Sequence, residues 1–380
     1  MSLQLPPLSL YIHIPWCVQK CPYCDFNSHA VKQGIPEQEY LAHLLADLEQ
    51  DLSYVQGRTI HSIFIGGGTP STFSGDAIQA LLDGVRQRLQ LAADCEITME
   101  ANPGTVEAAR FAAYVQAGVT RFSIGVQSFQ ADQLKALGRI HNSDEAKAAA
   151  TLAQQLPLQS FNLDLMHGLP QQNVDGALAD LQQAIALQPP HLSWYQLTIE
   201  PNTAFASRPP KLPEDEALWD IQEQGHALLT AQGYLQYETS AYAKAGYQCR
   251  HNLNYWRFGD YLGIGCGAHG KITLPEQNDI VRTVKIKHPK GYMDLSKGYL
   301  DSRSSVAPED RPFEFFMNRF RLLEACPTTD FTSLTGVSLS AVEPALHQAG
   351  VLGLLALRDN EWQITPKGVR YLNDLLELFL

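Results

Sequence analysis

No stretch of the 380 residues stays apolar for the roughly 18 positions that a membrane-spanning helix needs. The amino terminus, MSLQLPPLSL, has no basic residue ahead of an apolar run, so nothing in it reads as a secretion signal. A soluble, cytoplasmic protein without a membrane span is expected. Positive charge is also scarce: 28 Lys and Arg stand against 40 Asp and Glu, a formal net charge of −12 with a pI near 5.4. That balance gives no general attraction to phosphate backbones or anionic lipid and removes nucleic acid as an expected partner. Nor is there a disulfide framework, because the seven cysteines are odd in number and Cys95, Cys249, Cys266 and Cys326 stand alone. The composition is not that of a disordered chain either: 45% hydrophobic and 18% charged residues describe a globular protein, long enough for one large domain and a smaller one.

What the sequence does contain is a repeated unit. LSLYIHIP alternates Leu8, Leu10, Ile12 and Ile14 with Ser9, Tyr11 and His13, the period of a strand, and Pro15 ends it. Leu41, Leu44, Leu45, Leu48 and Leu52 follow on one helical stripe, SIFIGGGTP makes a second strand, and Ile78, Leu81, Leu82, Val85 and Leu89 stripe a second helix. EITMEANP, RFSIGVQSF, SFNLDLMHGLP and HLSWYQLTIEP continue the series, so six strands are expected to begin near residues 8, 62, 96, 121, 160 and 191. Such alternation implies right-handed crossovers and a parallel sheet, either open or rolled into a barrel. In four of the strands an apolar set alternates with a polar or small one: Tyr11/His13, Thr98/Glu100, Ser123/Gly125/Gln127 and Asn162/Asp164. A sheet between two helical layers is apolar on both faces, whereas one-sided polarity fits a curved wall around a hydrophilic interior. The expected fold is therefore α/β, an incomplete (β/α)6-type parallel barrel. Glu100, Gln127 and Asp164 then point inward near the carboxyl ends of their strands, where such folds bind ligands.

Beyond an amphipathic helix expected from Pro213 to Gly233, residues 240–300 are rich in Gly, Tyr and His and show no clear period. From Asp310 the pattern changes. Phe313, Phe316, Met317, Phe320 and Leu323 stripe a helix, another is expected around Leu339–Ala349, and EWQITPKGVRYLNDLLELF reads as a hairpin strand leading into a last helix. This suggests a smaller, winged-helix-like α+β domain. With 6 Lys and Arg against 8 Asp and Glu over 311–380, it lacks the charge for DNA and reads as a packing or docking module. The expected organisation is a barrel over 1–235, a connecting layer over 236–305 and the C-terminal domain over 306–380.

Three of the cysteines are clustered. Cys17, Cys21 and Cys24 form CxxxCxxC directly after the first strand. Zinc would need a fourth ligand, for which His29 is the available residue. Three thiolates suit instead a [4Fe-4S] cube whose fourth iron takes a ligand that is not protein. The glycine run GGGTP, Gly66–Pro70, offers a backbone that a carboxylate or ammonium group can approach closely. In HNLNYW, the pattern alone reads first as a packed His251 near a helix start with Tyr255 and Trp256 as core aromatics, while the imidazole and the two rings also suit an axial metal position and a flat ligand. The nearby loop GIGCGAHG holds Cys266 and His269 as weaker candidates, with Cys266 expected to be a small packed residue.

CxxxCxxC after a first barrel strand resembles the radical S-adenosylmethionine (SAM) superfamily. The resemblance implies that SAM binds the open iron through its amino and carboxylate groups, and that reductive cleavage yields methionine and a 5′-deoxyadenosyl radical. It further implies SAM contacts at Gly67, Gly68 and Thr69, at Glu100, Gln127, Arg139 and Asp164, and a place for Tyr11 beside the cluster. LYIHIPWCVQKCPYCDF, FIGGGTP, TMEANPGT, SIGVQSF, LGRIH and NLDLMHGLP extend the likeness along nearly the whole chain, to the branch of HemW-type haem chaperones and oxygen-independent coproporphyrinogen III dehydrogenases. The dehydrogenases continue their motif to a further cysteine, where this chain has Phe26, while HNLNYW matches the HNxxYW signature of the chaperones. On that resemblance His251, Asn252, Tyr255 and Trp256 are candidates for binding haem. The implied partners are apo-haemoprotein acceptors, those of the respiratory chain in particular, and a haem or electron donor protein. Peripheral contact with membrane-bound acceptors is compatible with this. The alternative it leaves open is oxidative decarboxylation of porphyrinogen propionates.

Overall fold

The computed structural model describes residues 2–31, 34–105, 107–294, 296 and 298–380. The six expected strands form as β1 (Leu8–Ile14), β2 (Ile60–Gly67), β3 (Leu91–Ala101), β4 (Arg121–Gln127), β5 (Ser160–His167) and β6 (His191–Gln196). They pair in that order and all in parallel. Helices α1 (Glu37–Gln50), α2 (Gly75–Arg88), α3 (Ala108–Ala117), α4 (Ser143–Gln155) and α5 (Val174–Ala186) cross between successive strands. Periodicity explains their packing. Leu41, Leu44 and Leu48 of α1 and Ile78, Leu81, Leu82 and Val85 of α2 are buried in one core with Leu10, Ile12 and Ile14 of β1. Caps set the helix starts: Ser74 accepts from the backbone N–H of Ala77 while its own hydroxyl donates to Glu37, and Asn142 with Glu145 forms a reciprocal capping box on α4.

Residues 235–305, which include the stretch with no legible period, supply six more strands to the same sheet. After α6 (Asp215–Ala231), the short β7 (Leu235–Glu238) and β8 (Ala241–Ala243) extend it antiparallel beyond β6. Helix α7 (Arg250–Trp256) leads into β9 (Asp260–Ile264), which pairs in parallel with β1 on the opposite side. β10 (His269–Leu274), β11 (Asp279–Lys285) and β12 (Leu300–Ser305) continue outward in antiparallel fashion. The parallel wall thus has seven strands, β9 and β1 to β6, within an open sheet of twelve. Burial of ion pairs fastens the added strands. Asp260 accepts from Arg58, Lys271, and the Thr273 hydroxyl and backbone N–H, and Lys285 donates to Asp47 and Asp51 of the opposite segment.

A second core forms around Phe315, Phe316, Phe320, Phe331, Trp362 and Phe379. It is built by α8 (Arg311–Arg319), α9 (Thr328–Thr335), α10 (Glu343–Val351), the hairpin β13 (Leu355–Arg358) with β14 (Glu361–Ile364), and α11 (Leu372–Glu377). The α8 stripe is rotated from the one expected: Phe315 is fully buried and Met317 is exposed, because Phe315 packs on Phe258, Phe316 and Phe331. Leu3 joins this core, so the first residues of the chain lie against the last domain.

Candidate functional site

Side chains of β2 to β6 and the loops after β1 and β2 line one cavity of about 340 Å³. Cys17, Cys21 and Cys24 lie on its wall with Gly67, Gly68, Thr69, Glu100, Gln127, Arg139 and Asp164. Residues far apart in sequence are brought together because every second residue of a strand faces inward.

Local structure explains each placement. Gly67 ends β2 at φ +116°, and a Cβ there would lie 2.7 Å from the His13 ring. At Gly68 it would lie 2.5 Å from the Trp16 carbonyl oxygen. Only glycine fits either position. The N–H groups of this run are already engaged: Gly67 donates to Glu100 Oε2 (3.0 Å), Gly68 to the Ile14 carbonyl (2.7 Å) and Thr69 to the Trp16 carbonyl (2.7 Å). With its N–H groups occupied, and the Thr69 carbonyl accepting from the Thr72 N–H (3.0 Å) and hydroxyl (2.7 Å), the loop has the glycine carbonyl oxygens to offer, which suit an ammonium group and not a carboxylate. Gln127 sits at φ +69°, unusual for a residue with a side chain. Its turn is held by Asp180 of α5, which accepts from the Ser128 hydroxyl (2.7 Å) and the Phe129 backbone N–H (2.8 Å). The strain thus fixes a side chain whose amide oxygen accepts from Tyr195 (2.8 Å). Arg139 donates to the Gly125 carbonyl (2.7 Å) and approaches Cys21 Sγ (3.6 Å), while its Nε is buried without a partner.

The carboxyl groups are strongly perturbed. Burial, the nearby Asp164 charge second, pushes Glu100 up to about 8, against which the Gly67 N–H works. Burial also raises Asp164, offset by hydrogen bonds from Ser123 (3.0 Å) and Asn162 (2.7 Å). Tyr11, its hydroxyl raised by burial and then by Glu100, bonds His13 Nδ1 (2.9 Å), whose Nε2 bonds the Asn27 carbonyl (2.9 Å). This links β1 to the loop just past Cys24. Asn27 in turn donates to the carbonyls of Cys266 and Lys287. Burial raises the thiols of Cys17 and Cys24, a cost that a bound cation reverses. Among the described residues no three His, Cys, Asp or Glu side chains converge closely enough to hold one metal ion. His29 instead bonds the Lys287 carbonyl (3.2 Å), which counts against zinc. A cube binds each thiolate to a different iron and asks for no such convergence. The three thiols, the free Arg139 Nε and the carbonyls of the glycine run together fit a cluster carrying an amino-acid ligand.

HNLNYW is divided. Its helix α7 is capped by Glu96, which accepts from the backbone N–H groups of Arg250 and His251. His251 is buried against Phe64, with Nδ1 3.2 Å from the Ser62 hydroxyl, and burial, with Arg121 second, pushes it down to about 3. Asn252 faces the cavity. Tyr255 packs on Tyr261, and Trp256 lies under Arg321 of the C-terminal domain. The four side chains do not converge on one surface. Cys266 is a packed residue whose Sγ donates to the Lys287 carbonyl.

Against known families, residues 11–183 match the Radical SAM superfamily and residues 306–371 the HemN C-terminal domain. Heme chaperone HemW of Escherichia coli strain K12 is 66% identical over 378 residues, covering 100% of this chain and 99% of the relative. Its namesake in Haemophilus influenzae is 63% identical over 99% of both chains, and that of Bacillus subtilis 33% over 98% and 99%. The chain belongs to the HemW family of radical SAM proteins. Among solved structures, coproporphyrinogen III oxidase (HemN) from Escherichia coli superposes with a TM-score of 0.83 at 22% identity, over 99% of this chain and 90% of that one. The family thereby accounts for the barrel and the appended domain. Phe64, Arg121, Ser193 and Tyr195 line the cavity but escaped sequence reasoning. Arg121 shares inward parity with Gln127, a signal available in the sequence, whereas Phe64 is hidden within an unbroken apolar run.

Proposed function

We propose that this protein is a cytoplasmic haem chaperone that binds haem and passes it to apo-haemoproteins, those of the respiratory chain included. The observation that carries the reading is 66% identity, over essentially both full lengths, to a protein named heme chaperone HemW. Phe26 supports it, standing exposed where the porphyrinogen-oxidising relatives carry a further cysteine. In this reading Cys17, Cys21 and Cys24 hold a [4Fe-4S] cluster. The carbonyls of Gly67 and Gly68 take the ammonium of SAM with Thr69 lining the same wall, Arg139 takes its carboxylate, and Glu100, Gln127 and Asp164 its ribose and adenosine. The bound pair supplies one-electron reductive chemistry, while the chain's own residues orient SAM and enclose it. His251 is the candidate axial ligand of haem. The likeness to HemN, at 22% identity, speaks for the fold alone and does not favour decarboxylation.

The test mixes the anaerobically reconstituted protein with haemin and then with an apo-haemoprotein. A shifted Soret band that moves to the acceptor is expected, with weaker binding in His251→Ala. Turnover of coproporphyrinogen with SAM and a reductant would refute the chaperone reading in favour of the enzyme.

A further inference from the structure

The cavity lining includes a buried cation whose donors are unused, although the charges of Glu96 and Asp164 lie near enough to favour its charged form. Arg121 begins β4 two residues before Ser123, on the same inward parity, and is only 3% exposed. It lines the cavity, yet among the described residues its guanidinium makes no hydrogen bond, and its Nε is buried and unsatisfied. Burying an arginine is costly unless its donors are used.

The surrounding groups do not use them. Glu96 accepts from the backbone N–H groups of Arg250 and His251 and lies near the Cys249 thiol. Asp164 accepts from Ser123 and Asn162. His191 and His251 are both driven toward the neutral state by burial and by Arg121 itself, so they are not its counter-ions. Asn252, next in the chain to the His251 on which the Arg121 charge acts, also lines the cavity, and its side chain has no hydrogen-bonding partner among the described residues. Phe64, packed on the His251 ring, adds an apolar wall to the same cavity.

We propose that Arg121 and Asn252 form a carboxylate-binding subsite on the barrel floor, separate from the SAM residues and from any axial haem ligand. A planar guanidinium pairs with a carboxylate through two parallel hydrogen bonds, and Asn252 adds a neutral donor. The ligand is a compact organic acid with a short apolar portion against Phe64. A cavity of about 340 Å³ that also receives SAM has no room for a tetrapyrrole at its floor. The inference does not depend on haem transfer.

The experiment is saturation-transfer NMR on the full-length, reconstituted protein, with sodium propionate as probe and methyl propionate as its uncharged counterpart at matched ionic strength. Transfer to propionate and not to the ester is expected. Binding should weaken at least about tenfold in Arg121→Gln, the usual effect of removing a charged donor. Asn252→Ala should weaken it less. Should Arg121→Gln fail to fold, Arg121→Lys keeps the charge without the fork and should bind detectably but more weakly. Absence of displacement by haemin is expected for a compact acid, and displacement of propionate by haemin would overturn that assignment. Absence of transfer at tens of millimolar, equal transfer to the ester, or unchanged binding in a folded Arg121 variant would overturn the proposal.

Discussion

Glu100 offers the most exacting check on the electrostatics of the cavity. Its carboxyl faces the cavity beside Asp164 and is carried from 4.5 to about 8, first by burial and then by the Asp164 charge. For an acid raised in the fold, the stabilising contribution is complete below the unfolded value and declines as pH rises toward the folded one. The protein without SAM should therefore lose stability between pH 4.5 and about 8 through this group. The full shift corresponds to about 5 kcal/mol, which cavity water reduces. Glu100→Gln keeps an oxygen for the Gly67 N–H and removes the charge. Urea unfolding at pH 5, 7 and 8.5 should find the variant similar to the parent at the acidic end and about 1–4 kcal/mol more stable at the alkaline end. SAM carries positive charge and favours the ionised carboxylate, so its binding to the parent should release a proton and strengthen from pH 6.5 to 8. Calorimetry in buffers of different ionisation enthalpy reads that proton. An alkaline-side variant less stable than the parent, or a difference that does not change with pH, would refute the reasoning.

Gly67→Ala forces a side chain into φ +116° and onto the His13 ring, and should cost about 2–4 kcal/mol by denaturant unfolding. Asp260→Asn removes the charge shared by buried Lys271 and largely buried Arg58, and should cost about 3–5 kcal/mol, more than Asp83→Asn, whose partner Arg86 is exposed. Single Cys17→Ala, Cys21→Ala and Cys24→Ala variants should each lose most iron and sulfide after anaerobic reconstitution, while His29→Ala should retain both; iron loss in the last would restore a fourth protein ligand.

The barrel was legible because its strands announce themselves twice, through alternation and through the helical stripes between them. Tyr11 alternates with Leu10 and Ile12, and the structure turns the two sets to opposite faces. β7 to β12 were not legible, for physical reasons. β7 and β8 are too short to show a period, β12 is exposed along its whole length, and β9 carries Gly263 because the His269 backbone passes within 2.0 Å of where a Cβ would stand. The inward carboxylates and amides were readable for the same reason as the barrel. The occupied N–H groups of the glycine run were not, since they depend on Ile14, Trp16 and Glu100 arriving from other elements.

The division of HNLNYW changes what that motif does in the free protein. Six adjacent residues suggest one binding surface, but a helix of under two turns points them in different directions, and all but that of Asn252, which faces the cavity, are taken up by packing or hydrogen bonds. His251 has its Nδ1 on Ser62 and its backbone N–H on Glu96, while Asn254 bonds the Ser9 hydroxyl at the start of β1. Trp256, at the other end, joins Leu253, Tyr237 and Leu322 in a small apolar cluster and stacks under Arg321. The helix is thus a plug between barrel and C-terminal domain, fixed by polar contacts to one and aromatic contacts to the other. A ligand that drew His251 out of this seat by moving α7 would strain the Glu96 cap at one end of the helix and the Arg321 contact at the other. The seating of His251 and that of the C-terminal domain are therefore coupled through one short helix.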